Sequence, residues 1–418
     1  MLRDYQINIS TQALSIIKAY GLVYLCMEVR TGKTLTSLNI ANLYGAKRVL
    51  FVTKLKAIAS IKKDMDSLNP DFLLYVVNYE QLHNVDAEDF DLIIIDEAHS
   101  LGAFPVMSER TKLLLKICAK KPIIYLSGTP TPESFSQIFH QLAVSCNSPF
   151  KEYRNFYEWA RDFVNVKKKY YYNREVNDYS QADKAKIDRL TKHLFISFTQ
   201  AQAGFTQAVQ EQVLKVKMKQ GTYTLAGKLR SRRVFIGKEG EEVIADTEVK
   251  LMGKLHQVYS GSVLLDNRIG EAICFDDTKA RFIADYFAGK KIAIFYKFKA
   301  EAIMLRWALK AMVTESPEDF NLRNDLVFIC QIQSGREGIN LSTADALVMF
   351  NIDYSHLSYL QARARMQTKD REKACELYWV FAEGGIEEKI YERVMNKQDY
   401  QLSYFKQDFL LEDLKKVA

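Results

Sequence analysis

Residues 90–100 read FDLIIIDEAHS. The run Leu92–Ile95 is apolar without alternation, which predicts a strand buried on both faces, as in parallel sheets covered by helices. Its C-terminal end delivers Asp96 and Glu97 to the edge where doubly wound sheets bind ligands. Two acids capping a strand end would be the plain reading. It leaves unexplained a second stretch upstream, MEVRTGKTLTS at 27–37.

That upstream stretch ends like a phosphate-binding loop. Such loops work because backbone N–H groups at a helix N-terminus face the anion, one lysine reaches the outer phosphates and one hydroxyl ligates Mg²⁺. Gly32, Lys33 and Thr34 supply those parts, with Arg30 and Thr31 in the same loop. The usual first glycine would fall at Met27, and Arg30 stands where a second glycine is common. TGKT alone is a weak signal, but with Asp96 and Glu97 in one lobe it predicts an ATP site. Asp96 is expected to hold Mg²⁺ through water, with Thr34, and Glu97 to orient and deprotonate the water that attacks the γ-phosphate.

Working outward, five further runs resemble 91–96: RVLFVT (48–53), PIIYLS (122–127), KIAIFY (291–296), LVFICQ (326–331) and ALVMFN (346–351). Most are separated by enough chain for a helix, the pattern of buried parallel strands. They form one group before 150 and one after 265, so the expected fold class is α/β with two lobes. The text between them changes character, from NVKKKYYYNREVNDY (165–179) to GKEGEEV (237–243), and reads as an accessory region inserted between the lobes. The expected organisation is therefore 1–150, 151–265 and 266–418. The tail from 386 has the apolar spacing of a helix packed on the second lobe.

Composition fits a globular protein, with 48% hydrophobic and 26% charged residues. MLRDYQINIS lacks a basic start and apolar run, and no stretch approaches the roughly 18 apolar residues of a membrane span, so a cytoplasmic location is expected. The six cysteines (26, 118, 146, 274, 330 and 375) are scattered without a CxxC pair, which argues against structural zinc. Net charge is +7, and residues 151–260 hold 21 basic against 13 acidic residues. That local excess suggests a polyanion contact, or a solvated surface.

The motifs, in order, resemble those of the superfamily 2 helicases and translocases, and within them the Snf2-like branch. LRDYQ (2–6) is similar to the signature in which a glutamine reads adenine, here Gln6. CMEVRTGKT (26–34) resembles motif I, with Glu28 at an acid common in the Snf2-like version. LFVTK (50–54) resembles motif Ia, VVNYEQL (76–82) the stretch before motif II, DEAH (96–99) motif II, and SGTPTP (127–132) motif III. AIFYKF (293–298) resembles motif IV, QSGREGINLSTADALVMFNIDYS (333–355) motif V and QARAR (361–365) motif VI.

The resemblance implies two RecA-like lobes and ATP with Mg²⁺. It implies Arg365 as the arginine finger and Gly338 lining the nucleotide from the second lobe. The family's next arginine falls at Thr368, so Arg363, Lys369 or Arg371 are alternatives to Arg365. Thr53, Lys54, Asn78, Tyr79, Lys297, Phe298, Ser334 and Gly335 become candidate DNA-backbone contacts, since a motor grips phosphates without reading bases. Ser127, Thr129 and His99 become coupling residues between the carboxylates and the DNA groove. The lysine and tyrosine run 167–172 suits either phosphate and base contact or an exposed hairpin.

The implied function is a DNA-stimulated ATPase acting on duplex, forked or branched DNA, without sequence specificity. A monomer is expected, with a replication or repair partner, in a bacterial or phage-infected cell. The alternatives are an ATP-gated subunit that recruits a nuclease or replication partner, and an RNA motor, which the Snf2-like character of NYEQL and EGINL disfavours.

Overall fold

The computed structural model describes residues 2–171, 174–205, 209–332, 341, 343–356, 358–359 and 375–396. The chain divides into two units, Met1–Phe205 and Thr206–Ala418.

The first unit is built on β1 (Leu22–Met27), β2 (Arg48–Thr53), β3 (Leu73–Asn78), β4 (Leu92–Ile95), β5 (Ile123–Leu126) and, after a hairpin of β6 (Lys167–Tyr171) and β7 (Arg174–Asp178), β8 (Phe195–Phe198). These form a six-stranded sheet in the order β3-β2-β4-β5-β1-β8, with every pairing parallel. The side chains of Leu92–Ile95 are wholly buried, as the unbroken apolar run requires. Each contributes on the order of 1.5–3 kcal/mol by leaving water. Helix α1 (Asp4–Tyr20) buries Ile9, Ala13 and Ile17, spaced four apart on one face, and helix α2 (Lys33–Tyr44) follows β1 directly. All six strands point the same way, so their C-terminal ends share one edge.

The second unit carries β9 (Val209–Val216), two short antiparallel pairs formed by β10 (Val234–Ile236) with β11 (Glu242–Ile244) and β12 (Ser262–Leu264) with β13 (Ala272–Cys274), then β14 (Ile292–Tyr296), β15 (Val313–Thr314), β16 (Val327–Gln331), β17 (Ala346–Met349) and β18 (Cys375–Ala382). Its sheet, β15-β16-β14-β17-β18-β9, is also six-stranded and wholly parallel. Helix Ile386–Met395 buries Ile386, Ile390 and Val394, as the tail's spacing predicts. Behind the sheet, Lys279 and Glu387, both wholly buried, pair at 3.3 Å and tie helix Thr278–Tyr286 to that helix.

The expected three-part division is corrected by the sheets. Residues 151–265 do not form a body of their own: β8 extends the first sheet and β9 the second, so the boundary lies at 205/206. The physical reason is that each sheet takes its outermost strand from this polar text. VQEQVLKV mixes half-buried and exposed positions, as an edge strand does. Residues 167–171 of the lysine and tyrosine run form the first strand of an antiparallel hairpin, its base closed by Asn165 N–H to Gln181 O at 2.8 Å and its strands bridged by an exposed Lys168–Glu175 ion pair at 2.5 Å. Among the described residues no helix is long and apolar enough to cross a membrane.

Candidate active site

The strand-end edge of the first unit collects the predicted nucleotide residues. The chain leaves β1 at Met27, turns through Arg30 (φ 63°) and Gly32 (φ 83°), and enters α2 at Lys33. Glycine at 32 has two reasons: the left-handed backbone, and the Gln6 amide, which would lie 2.2 Å from an added Cβ. Arginine at 30 takes the same left-handed region at a cost of about 1–2 kcal/mol. Thr31 is wholly buried, its hydroxyl donating to Glu28 O at 2.7 Å, and Tyr5 OH donates to Thr31 O at 3.1 Å. Gln6 is brought to the loop from α1: its Nε2 donates to Gly32 O at 3.3 Å, while its Oε1 accepts from Arg3 N at 2.8 Å.

Lys33 folds back into this loop. Its Nζ donates to Met27 O at 2.9 Å and Glu28 O at 3.3 Å. Burial pulls its pKa below the ordinary value, against the opposing pull of Glu97 and Asp96. The ammonium is thus partly desolvated and drawn toward the charges of Glu97 and Asp96.

Asp96 follows β4. Burial first, and then the neighbouring Glu97 carboxylate, push its pKa up to about 6, while the Thr53 hydroxyl and Lys33 favour the charged form. Its Oδ1 accepts from Glu97 N at 3.0 Å and its Oδ2 from Thr53 Oγ1 at 2.9 Å. Glu97 sits in the left-handed region at φ 50°, backbone strain of the kind that collects at functional sites. Its Oε2 lies 3.2 Å from His99 Nδ1, which is also 3.0 Å from Ser127 Oγ, and Ser127 Oγ accepts from Thr129 N at 3.1 Å. The three expected coupling residues and Glu97 therefore form one connected chain from the end of β4 to the end of β5.

The donor set fits Mg²⁺. Asp96 and Thr34 offer hard oxygen ligands at the same edge. The raised Asp96 pKa reflects first its burial and then the adjacent Glu97 carboxylate, and a divalent cation there would favour the charged form of both carboxylates. When bound, the ion would supply charge neutralisation at the phosphates.

Four of the candidate DNA contacts have partners within their own unit. Thr53 is wholly buried and serves Asp96. Asn78 is buried and caps the short helix Tyr79–Asn84, its side chain accepting from Gln81 N at 2.9 Å. Tyr79 is buried, its hydroxyl on Asp96 O and its ring under the Arg110 guanidinium at 5.4 Å. In the second unit Lys297 Nζ pairs with Asp353 Oδ1 at 2.9 Å and lies 3.9 Å from the Tyr354 ring centroid. A polar residue at a strand end can turn inward as readily as outward, and these four turn inward. Lys54 and Phe298 are half-buried. Ser334, Gly335, Gly338 and Arg365, with the alternatives Arg363, Lys369 and Arg371, lie outside the described residues.

Sequence reasoning missed two groups. At the second unit's strand ends, His256 bonds Tyr354 OH through Nδ1 at 2.9 Å and Asn351 Oδ1 through Nε2. Asn351 Nδ2 donates to Glu301 Oε1 at 2.6 Å, and Glu301 Oε2 accepts from Lys297 N at 2.7 Å and Phe298 N at 3.0 Å. This buried network clasps the chain after β14 to the chain after β17. The second group is Tyr5, Phe198 and Gln200 around the phosphate loop, with Tyr5 and Phe198 stacked at 4.7 Å.

Fold and site together define an α/β chain of two RecA-like units, with the residues expected to bind nucleotide gathered at the strand-end edge of the first. No protein-family model matches the chain. Among curated proteins it is similar to the DNA repair and recombination protein RAD54-like of Homo sapiens, 38% identical over 74 residues, 18% of this chain and 10% of that protein. It is also similar to Chromodomain-helicase-DNA-binding protein 1 of Homo sapiens, 34% identical over 90 residues, 22% of this chain and 5% of that protein. The matched stretches thus span a tenth or less of the length of these two relatives. A solved Sulfolobus solfataricus SWI2/SNF2 ATPase core in complex with dsDNA aligns over 98% of this chain and 93% of its own, with 14% identity and a TM-score of 0.43. The curated relatives support the Snf2-like superfamily 2 resemblance carried by the motifs.

Proposed function

We propose that this chain is an ATP-driven motor on duplex DNA, hydrolysing ATP at the strand-end edge of its first unit. The observation that carries the reading is the convergence of Lys33, Asp96 and Glu97, with Glu97 linked through His99 to Ser127. Lys33 binds the outer phosphates, Asp96 and Thr34 hold the metal, and Glu97, oriented by His99, takes the proton of the attacking water. Ser127 and Thr129 carry the state of Glu97 toward the surface. Arg365 is the proposed finger, a role worth on the order of 10³–10⁵ in rate in phosphoryl transfer. DNA as the partner is supported by the names of the curated relatives, which speak of DNA repair, recombination and DNA binding. Action on forked or branched substrates, strand separation, a monomeric state and a phage or bacterial DNA-processing setting extend the same reading.

Steady-state ATPase activity tests it, measured without nucleic acid and with single strand, duplex, fork, four-way junction and RNA, with Lys33→Ala as the blank. Stimulation by duplex or branched DNA is expected. A Lys33-dependent rate indifferent to every nucleic acid would overturn the motor reading in favour of an ATP-gated subunit.

A further inference from the structure

Gln200 lies far from the phosphate loop in sequence and touches it directly. Strand β8 pairs with β1 in register Met27↔Phe198, and Glu28 N–H then bonds Phe198 O at 2.9 Å. Two residues on, Gln200 makes three polar contacts. Its N–H donates to Glu28 Oε2 at 2.7 Å and its Nε2 to Val29 O at 3.0 Å. Its own carbonyl accepts from Phe205 N at 3.0 Å. Phe205 is the last residue of the first unit, so the chain passes to the second unit immediately after a turn fastened to the phosphate loop.

Glu28 is shared between two sets of partners. Its carbonyl accepts from Lys33 Nζ and from Thr31, while its carboxylate accepts from Gln200. For Lys33 to reach a phosphate it must release Met27 O and Glu28 O, which removes a cationic donor from the peptide whose side chain holds Gln200. The loop's occupancy and the position of Gln200 are then linked through one residue.

We propose that Gln200 and Glu28 are a positioning pair through which nucleotide at the phosphate loop sets the conformation of the turn 199–205 that ends the first unit. This rests on the nucleotide-binding reading above. It adds what that reading lacks, a residue outside the loop whose position follows the loop's ligand state.

The experiment is hydrogen exchange over residues 199–205 of the full chain, with and without a saturating non-hydrolysable ATP analogue and Mg²⁺. Binding of the analogue is first established by its Kd. In the wild type the analogue should change exchange at Phe205 and its neighbours by about fivefold or more, the lower end of ordinary coupling between sites. Gln200→Ala should bind the analogue within about threefold of wild type and lose most of that response. Glu28→Gln, which keeps an acceptor for Gln200 N–H, should retain the response, whereas Glu28→Ala should lose it. Bound analogue that leaves 199–205 unchanged in the wild type, or a Gln200→Ala response equal to wild type, would overturn the proposal. Loss of analogue binding in Gln200→Ala would also overturn it, by making the residue a support of the loop itself. Failure of the wild type to bind the analogue at all is a different result, which refutes the nucleotide reading. Absence of DNA stimulation with the exchange response intact refutes only the motor reading.

Discussion

Thr53 Oγ1 donates to Asp96 Oδ2 at 2.9 Å, so the last residue of β2 supports the carboxylate at the end of the adjacent β4. A hydrogen bond to a charged group is worth about 1.5–3 kcal/mol, and each pKa unit corresponds to about 1.4 kcal/mol. Thr53→Val, which keeps the shape and removes the donor, should raise the Asp96 pKa further above its value of about 6. A protonated Asp96 cannot hold Mg²⁺, so the acid limb of Mg²⁺-dependent ATP hydrolysis should move up by about one unit, with duplex affinity unchanged. A pH profile identical to wild type with weakened DNA binding would return Thr53 to the DNA surface.

Arg30 is the loop's conspicuous departure from glycine, and it occupies φ 63°. At such a position glycine escapes the crowding of Cβ against the carbonyl, worth about 1–2 kcal/mol. Arg30→Gly should therefore be more stable than Arg30→Ala by about 1 kcal/mol, since both lose the guanidinium and only alanine keeps a Cβ. Urea titration of the two variants measures this difference. Equal stability, or a more stable alanine variant, would show that the loop relaxes out of the left-handed region at no cost.

His256 gives the second unit a pH dependence with a definite sign. Burial, and then Lys297, depress its pKa well below the ordinary value near 6.5. The unfolded chain therefore takes up a proton below about pH 6.5 that the folded chain refuses, so stability is present above that pH and is lost as pH falls, by about 1.4 kcal/mol per unit. In His256→Gln this contribution disappears. The wild type's stability advantage over the variant, read from urea midpoints, should shrink as pH drops from about 7.5 to 5.5. An advantage independent of pH would mean that the ring is not held neutral.

Much of this fold is legible in the sequence, and the failures have physical causes. The inner strands β2, β4, β5, β14, β16 and β17 announce themselves as unbroken apolar runs because helices cover both faces of their sheets. The edge strands β3, β8 and β9 do not, since most of their side chains are exposed or only half-buried, and without β8 and β9 the middle of the chain reads as a separate region. Strand β1 carries an unbroken run too, LVYLCM, but beside the loop it leads into it passes for a mere approach. Lys33, Asp96, Glu97, His99, Ser127 and Thr129 are readable because each follows a strand in the same direction. Whether a polar residue at a strand end faces the groove or the core depends on its neighbours in space, which is why the burial of Thr53, Asn78 and Tyr79 is not readable from the sequence. Gln200 is invisible, since 172 positions separate it from the Glu28 carboxylate that holds it.

Glu97 stands at the centre of the proposed chemistry, as the base that activates the water which cleaves ATP. The most direct measurement compares ATP binding and single-turnover hydrolysis in wild type and Glu97→Gln, an isosteric change that removes the base and keeps the fold. ATP affinity should stay within about threefold while hydrolysis falls by about 10²-fold or more, the usual contribution of a positioned general base. Hydrolysis at the wild-type rate with ATP bound would contradict this role and remove Glu97 from the reaction.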